Sequence, residues 1–160
     1  MKLYRRLPRL DLPNTTYLAN ITTAGRQRWF ARPACAEALC QLISAERGRS
    51  ILLHAFAVMP DHYHLLATLL HDHRLPQVVG RINSLSARRV NELSGRSGRL
   101  WSRRFYDHGI RDSDDFEECF RYINDNPRAS GLVTVAAHYP YSSAGFFETG
   151  ESGWVPFDPP

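Results

Sequence analysis

The chain has 160 residues, 43% of them apolar and 22% charged, the make-up of one globular domain with a real core. Its formal charge is +4, and no stretch approaches the roughly 20 apolar residues of a membrane span. Cys35, Cys40 and Cys119 form no C-x-x-C pair, which argues against a disulfide framework or a zinc ribbon and for reduced thiols in the cytoplasm.

The N-terminus, MKLYRRLPRLDLP, is basic but lacks the apolar run of a secretory signal. Tyr17–Thr23 predicts a first strand. Arg32 to about Arg47 predicts a helix, with Pro33 in its first turn and Ala34, Ala38, Leu39, Leu42 and Ile43 as an apolar stripe. Ile51–Met59 is an apolar strand, Pro60-Asp61 a tight turn, and His62–Leu70 the returning strand of a hairpin. Both strands are apolar on both faces, which predicts a place in the middle of a sheet. Leu75 to about Leu93 predicts a second helix with an Arg-rich outer face. A Gly/Ser loop, Ser94–Arg99, leads to a fourth strand over Trp101–Ile110. Ser113 is a candidate N-cap for a third helix, with acidic residues in its first turns, ending near Asn126 before Pro127.

The order β-α-β-β-α-β followed by a helix is that of an α+β, ferredoxin-like split βαβ sandwich with an added C-terminal helix. Residues 1–160 are expected to form a single domain, with a core over about 15–137 and an irregular tail from about 138 to 160.

All but one of the 20 basic residues are Arg, Lys2 being the exception. Between Arg81 and Arg111, eight arginines stand against only Glu92 and Asp107, with Trp101, Phe105 and Tyr106 interleaved. Guanidinium forks match phosphates, and aromatic rings stack on unpaired bases, so this stretch suits nucleic acid. A solvated cationic face beside ordinary core aromatics is the plainer alternative.

His62 and His64 are two apart on a strand, so their rings share one face and can converge on one cation. Two structural imidazoles would show the same spacing, although burying them without partners is costly. His71 and His73 repeat the spacing in a polar linker, where no strand stands behind them. Tyr122 and Asn126 are four apart and share a helical face. A phenol with a pKa of about 10 is a weak nucleophile until a base, a metal or its placement activates it. Packing for Tyr122 and a helix cap for Asn126 fit the same spacing.

Taken together these segments resemble a known family. AFAVMPDHYHLLATL resembles the His-hydrophobic-His (HUH) motif of single-tyrosine transposases, and RLWSRRFYDHGIRD and RYINDNPRASGLV resemble two further blocks of that superfamily. The likeness is greatest to the REP-associated tyrosine transposases of bacteria, related to small insertion-sequence transposases, and covers roughly Tyr17 to Ser143. The resemblance implies Tyr122 as nucleophile on a helix beside the HUH strand. It also implies His62, His64 and Asn126 as ligands of a divalent ion, Mg²⁺ or Mn²⁺. Tyr63 is bulky for the middle position of the motif. The expected activity is cutting and rejoining of single-stranded hairpin DNA through a 5′-phosphotyrosine. Arg81, Arg88, Arg89, Arg103 and Arg104 are the expected DNA contacts. The expected setting is cytoplasmic and nucleoid-associated, as a monomer or homodimer without a membrane. A hairpin-DNA-binding regulator that does not cleave is the competing expectation.

Overall fold

In the computed structural model, residues 12–150 and 157–159 are described. Strands β1 (Thr16–Thr22), β2 (Ile51–Met59), β3 (His62–Leu69) and β4 (Tyr106–Gly109) form an antiparallel sheet in the order β2-β3-β1-β4. Helix α1 (Pro33–Glu46) joins β1 to β2, and α2 (Leu75–Ser94) joins β3 to β4. This is the ferredoxin-like arrangement. Helix α3 (Ser113–Ala129) and a short α4 (Ala144–Thr149) follow.

Side chains alternate across a strand, and β3 shows what each face is for. Tyr63, Leu65, Ala67 and Leu69 join a core with Leu39 and Ile43 of α1 and Val78 and Ile82 of α2. Leu66 faces the other way, where it meets Phe116, Cys119 and Ile123 of α3 together with Leu18, Ala55 and Ala57. His62 and His64 share the parity of Leu66. The sheet is covered on both faces, which is why β2 and β3 are apolar along both. The bulk of Tyr63 is absorbed in the α1/α2 core, edge-on to Trp101, with its hydroxyl donating to Asn83 Oδ1 at 3.0 Å.

The hairpin is not wholly mid-sheet: β3 is interior, but β2 is an edge strand. Its outer backbone is satisfied by the C-terminal segment. Val58 N donates to Tyr141 O (2.8 Å), Ser143 N to Phe56 O (2.9 Å) and Asp158 N to Leu53 O (2.8 Å). An apolar edge capped in this way is not left open to pairing with another chain. A bulge at His54 shifts the register between Leu53 and Ala55. It sends Phe56 and Val58 to the α1/α2 side and the small Ala55 and Ala57 to α3. Of the tail from Trp154 to Pro160, only 157–159 lie within the described residues. There Asp158 pairs with Leu53, at the end of β2 away from Met59, the strand partner of His62.

Three boundaries differ from expectation. The fourth strand is Tyr106–Gly109, not Trp101–Ile110. Trp101 makes one isolated bridge to Thr23, and its ring is drawn into the core, with Nε1 donating to Ser86 Oγ at 3.0 Å. The third helix is capped by Asp112, whose Oδ1 accepts from Asp115 N at 2.9 Å, and Ser113 is its first helical residue. That helix also passes through Pro127 to Ala129. A proline in the last turn forfeits only one backbone hydrogen bond. The helix closes instead through Ser130 N to Asn126 O and Leu132 N to Pro127 O, with Gly131 at φ +75°.

Candidate active site

The β2–β3 turn is held from both sides, because Phe30 N donates to Pro60 O (3.0 Å) and Thr23 N to Asp61 O (2.9 Å). Immediately after it, His62 stands opposite Met59 and Thr22, and His64 opposite Ala57 and Asn20. The small side chain of Ala57 leaves room for the imidazole beside it. The two rings lie edge to face with their centroids 4.7 Å apart, and their Nε2 atoms face each other at 3.1 Å. His62 Nδ1 donates to Asp61 Oδ1 at 2.6 Å. His64 is buried, and burial, with His62 beside it, pushes its imidazole down to about 3, partly opposed by the carboxamide of Asn126. It is therefore neutral at physiological pH and keeps a lone pair.

Helix α3 completes the group. The rings of Tyr122 and His64 lie edge to face, with centroids 5.3 Å apart. Asn126, one turn on, stands beside the same imidazole. Tyr122 and Asn126 also border a cleft of about 880 Å³ with Tyr106, His108, Phe120 and Phe147. Two polar atoms on the sheet face toward α3, Asn20 Oδ1 and His64 Nδ1, are buried and lack hydrogen-bond partners among the described residues. Two imidazole nitrogens converging at 3.1 Å with a carboxamide close by form a donor set that fits a divalent cation.

A profile of the family described as "Transposase IS200 like" matches residues 14–126. This chain belongs to the IS200-like transposase family. These transposases are enzymes. An Escherichia coli REP-associated tyrosine transposase is 27% identical over 119 residues, 73% of this chain and 67% of that protein. A Haemophilus influenzae relative carrying the same family name is 32% identical over 105 residues, 56% of either chain. This match thus spans little more than half the length of that relative. A solved REP-associated tyrosine transposase bound to a REP hairpin superposes with a TM-score of 0.69 at 23% identity, covering 100% of this chain and 92% of that one. A bacterial tRNA(His) guanylyltransferase-like protein in complex with GTP shares the fold alone, with a TM-score of 0.54 at 14% identity.

All four residues expected at the centre of an IS200-like site are brought together: His62, His64, Tyr122 and Asn126. The five expected DNA contacts are not. Ser102 N donates to Thr22 O at 2.9 Å, and Thr22 is the strand partner of His62, so exposed Arg103 and Arg104 start at the histidine end of the sheet. Arg88 and Arg89 are exposed on α2, which covers the opposite face, and Arg89 pairs with Glu92 at 3.2 Å. Arg81 makes two hydrogen bonds, of 2.9 and 2.7 Å, to buried Glu46. Burial would raise the Glu46 carboxyl, but Arg81 and Ser50 hold it below the usual range.

Three features escaped the sequence. Asp61 reaches the ring of its neighbour because it lies in the turn, just before β3 begins. Arg26, at φ +52°, places its guanidinium 3.6 Å from Asp61 Oδ2. His108 Nε2 donates to Asp115 at 2.8 Å, and Arg111 N and Nε donate to the same carboxylate at 3.0 and 3.2 Å. That cluster joins β4 to the first turn of α3. Cys119 adds a thiol, so that one ligand atom from each of His108, Asp115 and Cys119 lies within 4.8 Å of the others. Only the i, i+4 spacing of Asp115 and Cys119 was visible in the sequence.

Proposed function

We propose that this IS200-like transposase is a metal-dependent single-stranded DNA endonuclease and strand transferase that acts on hairpins of palindromic repeats through Tyr122. One observation carries the reading: the facing Nε2 atoms of His62 and His64, with Tyr122 against the same imidazole and Asn126 one helical turn on. The relative solved with a REP hairpin supports the substrate class, since it shares the fold along the whole of this chain.

His62 Nε2, His64 Nε2 and the Asn126 carboxamide would hold a Mg²⁺ or Mn²⁺ ion, which would polarise a non-bridging oxygen of the scissile phosphate. The Tyr122 oxygen attacks phosphorus, its proton passing to solvent, and a bond forms between that oxygen and the 5′-phosphate. The bond to the preceding 3′-oxygen breaks, and that oxygen takes up a proton to become a free 3′-OH. Attack by another 3′-OH reverses the step and joins strands, so no external energy source is required. Arg103 and Arg104 contribute phosphate contacts near the histidines, while Arg88 and Arg89 serve DNA that wraps past the sheet edge. Arg81 is committed to Glu46 and contributes least.

A nicking assay tests this directly. Purified protein with a labelled hairpin oligonucleotide and Mn²⁺ should release a free 3′-OH product, and either EDTA or Tyr122→Phe should abolish it. Hairpin binding that survives both treatments, with no cleavage in any arm, would assign the chain to the non-cleaving regulators instead. Among the described residues no helix is long and apolar enough to cross a membrane.

A further inference from the structure

A neutral histidine carries one N–H, and its hydrogen-bond partner decides which nitrogen holds it. For His62 the partner is a carboxylate. Asp61 Oδ1 lies 2.6 Å from Nδ1 and, ionised, can only accept, so the hydrogen belongs on Nδ1. Nε2 then keeps its lone pair, and it is this atom that faces His64. We propose that Asp61 is a positioning residue, which fixes His62 in the Nδ1–H tautomer and presents its bare Nε2 to the site. The proposal rests on the reading of His62 as a metal ligand.

Asp61 is itself held in place. Its carbonyl accepts from Thr23 N (2.9 Å) and from Thr23 Oγ1 (3.0 Å). Its second carboxylate oxygen faces Arg26 at 3.6 Å. The carbonyl of the preceding residue, Pro60, is bonded to Phe30 N. A carboxylate pinned at backbone and side chain keeps the imidazole from rotating about χ2, so the ring is oriented before any ligand arrives. Outer partners of this kind orient metal-binding histidines and raise their basicity. His64 has no equivalent, because its Nδ1 is buried without a partner among the described residues. The pair is therefore unequal: one ring is set by a carboxylate, and the other by packing against Tyr122 and by the carboxamide of Asn126.

Long-range ¹H–¹⁵N correlation spectra of the metal-free protein read the tautomer directly. Wild type should show His62 protonated at Nδ1, a measurement that needs no variant. Asp61→Ala should lose that preference and bind Mn²⁺ on the order of 10- to 100-fold more weakly in a titration. Asp61→Asn keeps an accepting oxygen, so it should keep the tautomer and fall between the two in affinity. A wild-type His62 protonated at Nε2 overturns the proposal, as does an Asp61→Ala protein with unchanged tautomer and unchanged Mn²⁺ affinity. If wild type binds no Mn²⁺ while Asp61→Ala still shifts the tautomer, the metal reading fails and the orienting role of Asp61 stands.

Discussion

Two histidine clusters flank α3, and they are built on opposite principles. At the start of the helix, His108 and Arg111 saturate the Asp115 carboxylate, and Asp112 caps the backbone beside it. At its far end, the Nε2 atoms of His62 and His64 face each other at 3.1 Å, and a buried Nδ1 has no partner among the described residues. A saturated polar cluster ties elements together. An unsatisfied one lowers stability unless something else completes it, so its retention points to chemistry. The first cluster holds the helix, and the second brings together the residues proposed to act on DNA.

If the clusters divide the work in this way, their variants should separate activity from stability. His64→Ala should lower cleavage on the order of 1,000-fold in single-turnover assays. Its melting temperature should fall only by what the cavity left by one buried ring costs, far less than the loss of activity. A stability loss as large as the activity loss would make His64 a core residue and erase the contrast.

Asp115→Ala should do the reverse. Leaving His108 and Arg111 without their acceptor should lower unfolding free energy by about 3 kcal/mol in urea, and the remaining folded protein should still cleave. A pH effect follows. Burial raises the Asp115 carboxyl, but Arg111 and His108 together hold it below its ordinary value. Its contribution is therefore full above the unfolded-chain pKa of roughly 4 and is lost as pH falls through the lower folded-state value. Wild type should lose stability across that acid window more steeply than Asp115→Ala. Parallel curves would remove the carboxylate from the account.

Metal binding sharpens the contrast from another side. Saturating Mn²⁺ should raise the melting temperature of wild type by roughly 5 to 10 °C, the size expected for a ligand at about 100 times its Kd. Asn126→Ala should show a smaller rise and His108→Ala an undiminished one. If loss of His108 removes the shift instead, the cation belongs with Asp115 and Cys119.

The smallest effect concerns the arginines. Arg103→Ala should weaken hairpin binding and reduce the salt slope of log K by about 1, as loss of one phosphate contact does. Arg81→Ala should leave that slope unchanged and destabilise the fold, since Glu46 is then buried without its partner. The opposite pattern would place the DNA path along α2.

These differences follow which interactions are local. The hairpin was legible because Ile51–Met59 and His62 onward are apolar runs around a Pro-Asp turn, and α1 because Pro33 opens a periodic stripe. The shared face of His62 and His64 follows from strand parity, and that of Tyr122 and Asn126 from helical spacing. That they form one site came from the family likeness, because no spacing rule brings β3 to α3. What stayed hidden depends on distant partners. Trp101 leaves the strand for Ser86, Arg81 is claimed by Glu46, and the edge of β2 is covered by residues some 80 to 105 positions away. The Asp61–His62 contact was obscured by the strand rule itself, which points neighbours to opposite faces and ceases to hold one residue earlier, in the turn.

The central claim is that the two histidines and Tyr122 act as one site, and the atom that becomes bonded to DNA tests it most directly. The protein is incubated with hairpin DNA and Mn²⁺, treated with nuclease and trypsin, and the peptide Tyr122–Arg128 is examined by mass spectrometry. That peptide should carry a nucleotide linked through its 5′-phosphate to Tyr122, and the linkage should be absent when His64 is replaced by alanine. Cleaved DNA bearing a free 5′-phosphate, with the peptide unmodified, would mean that water is the nucleophile and would contradict the account.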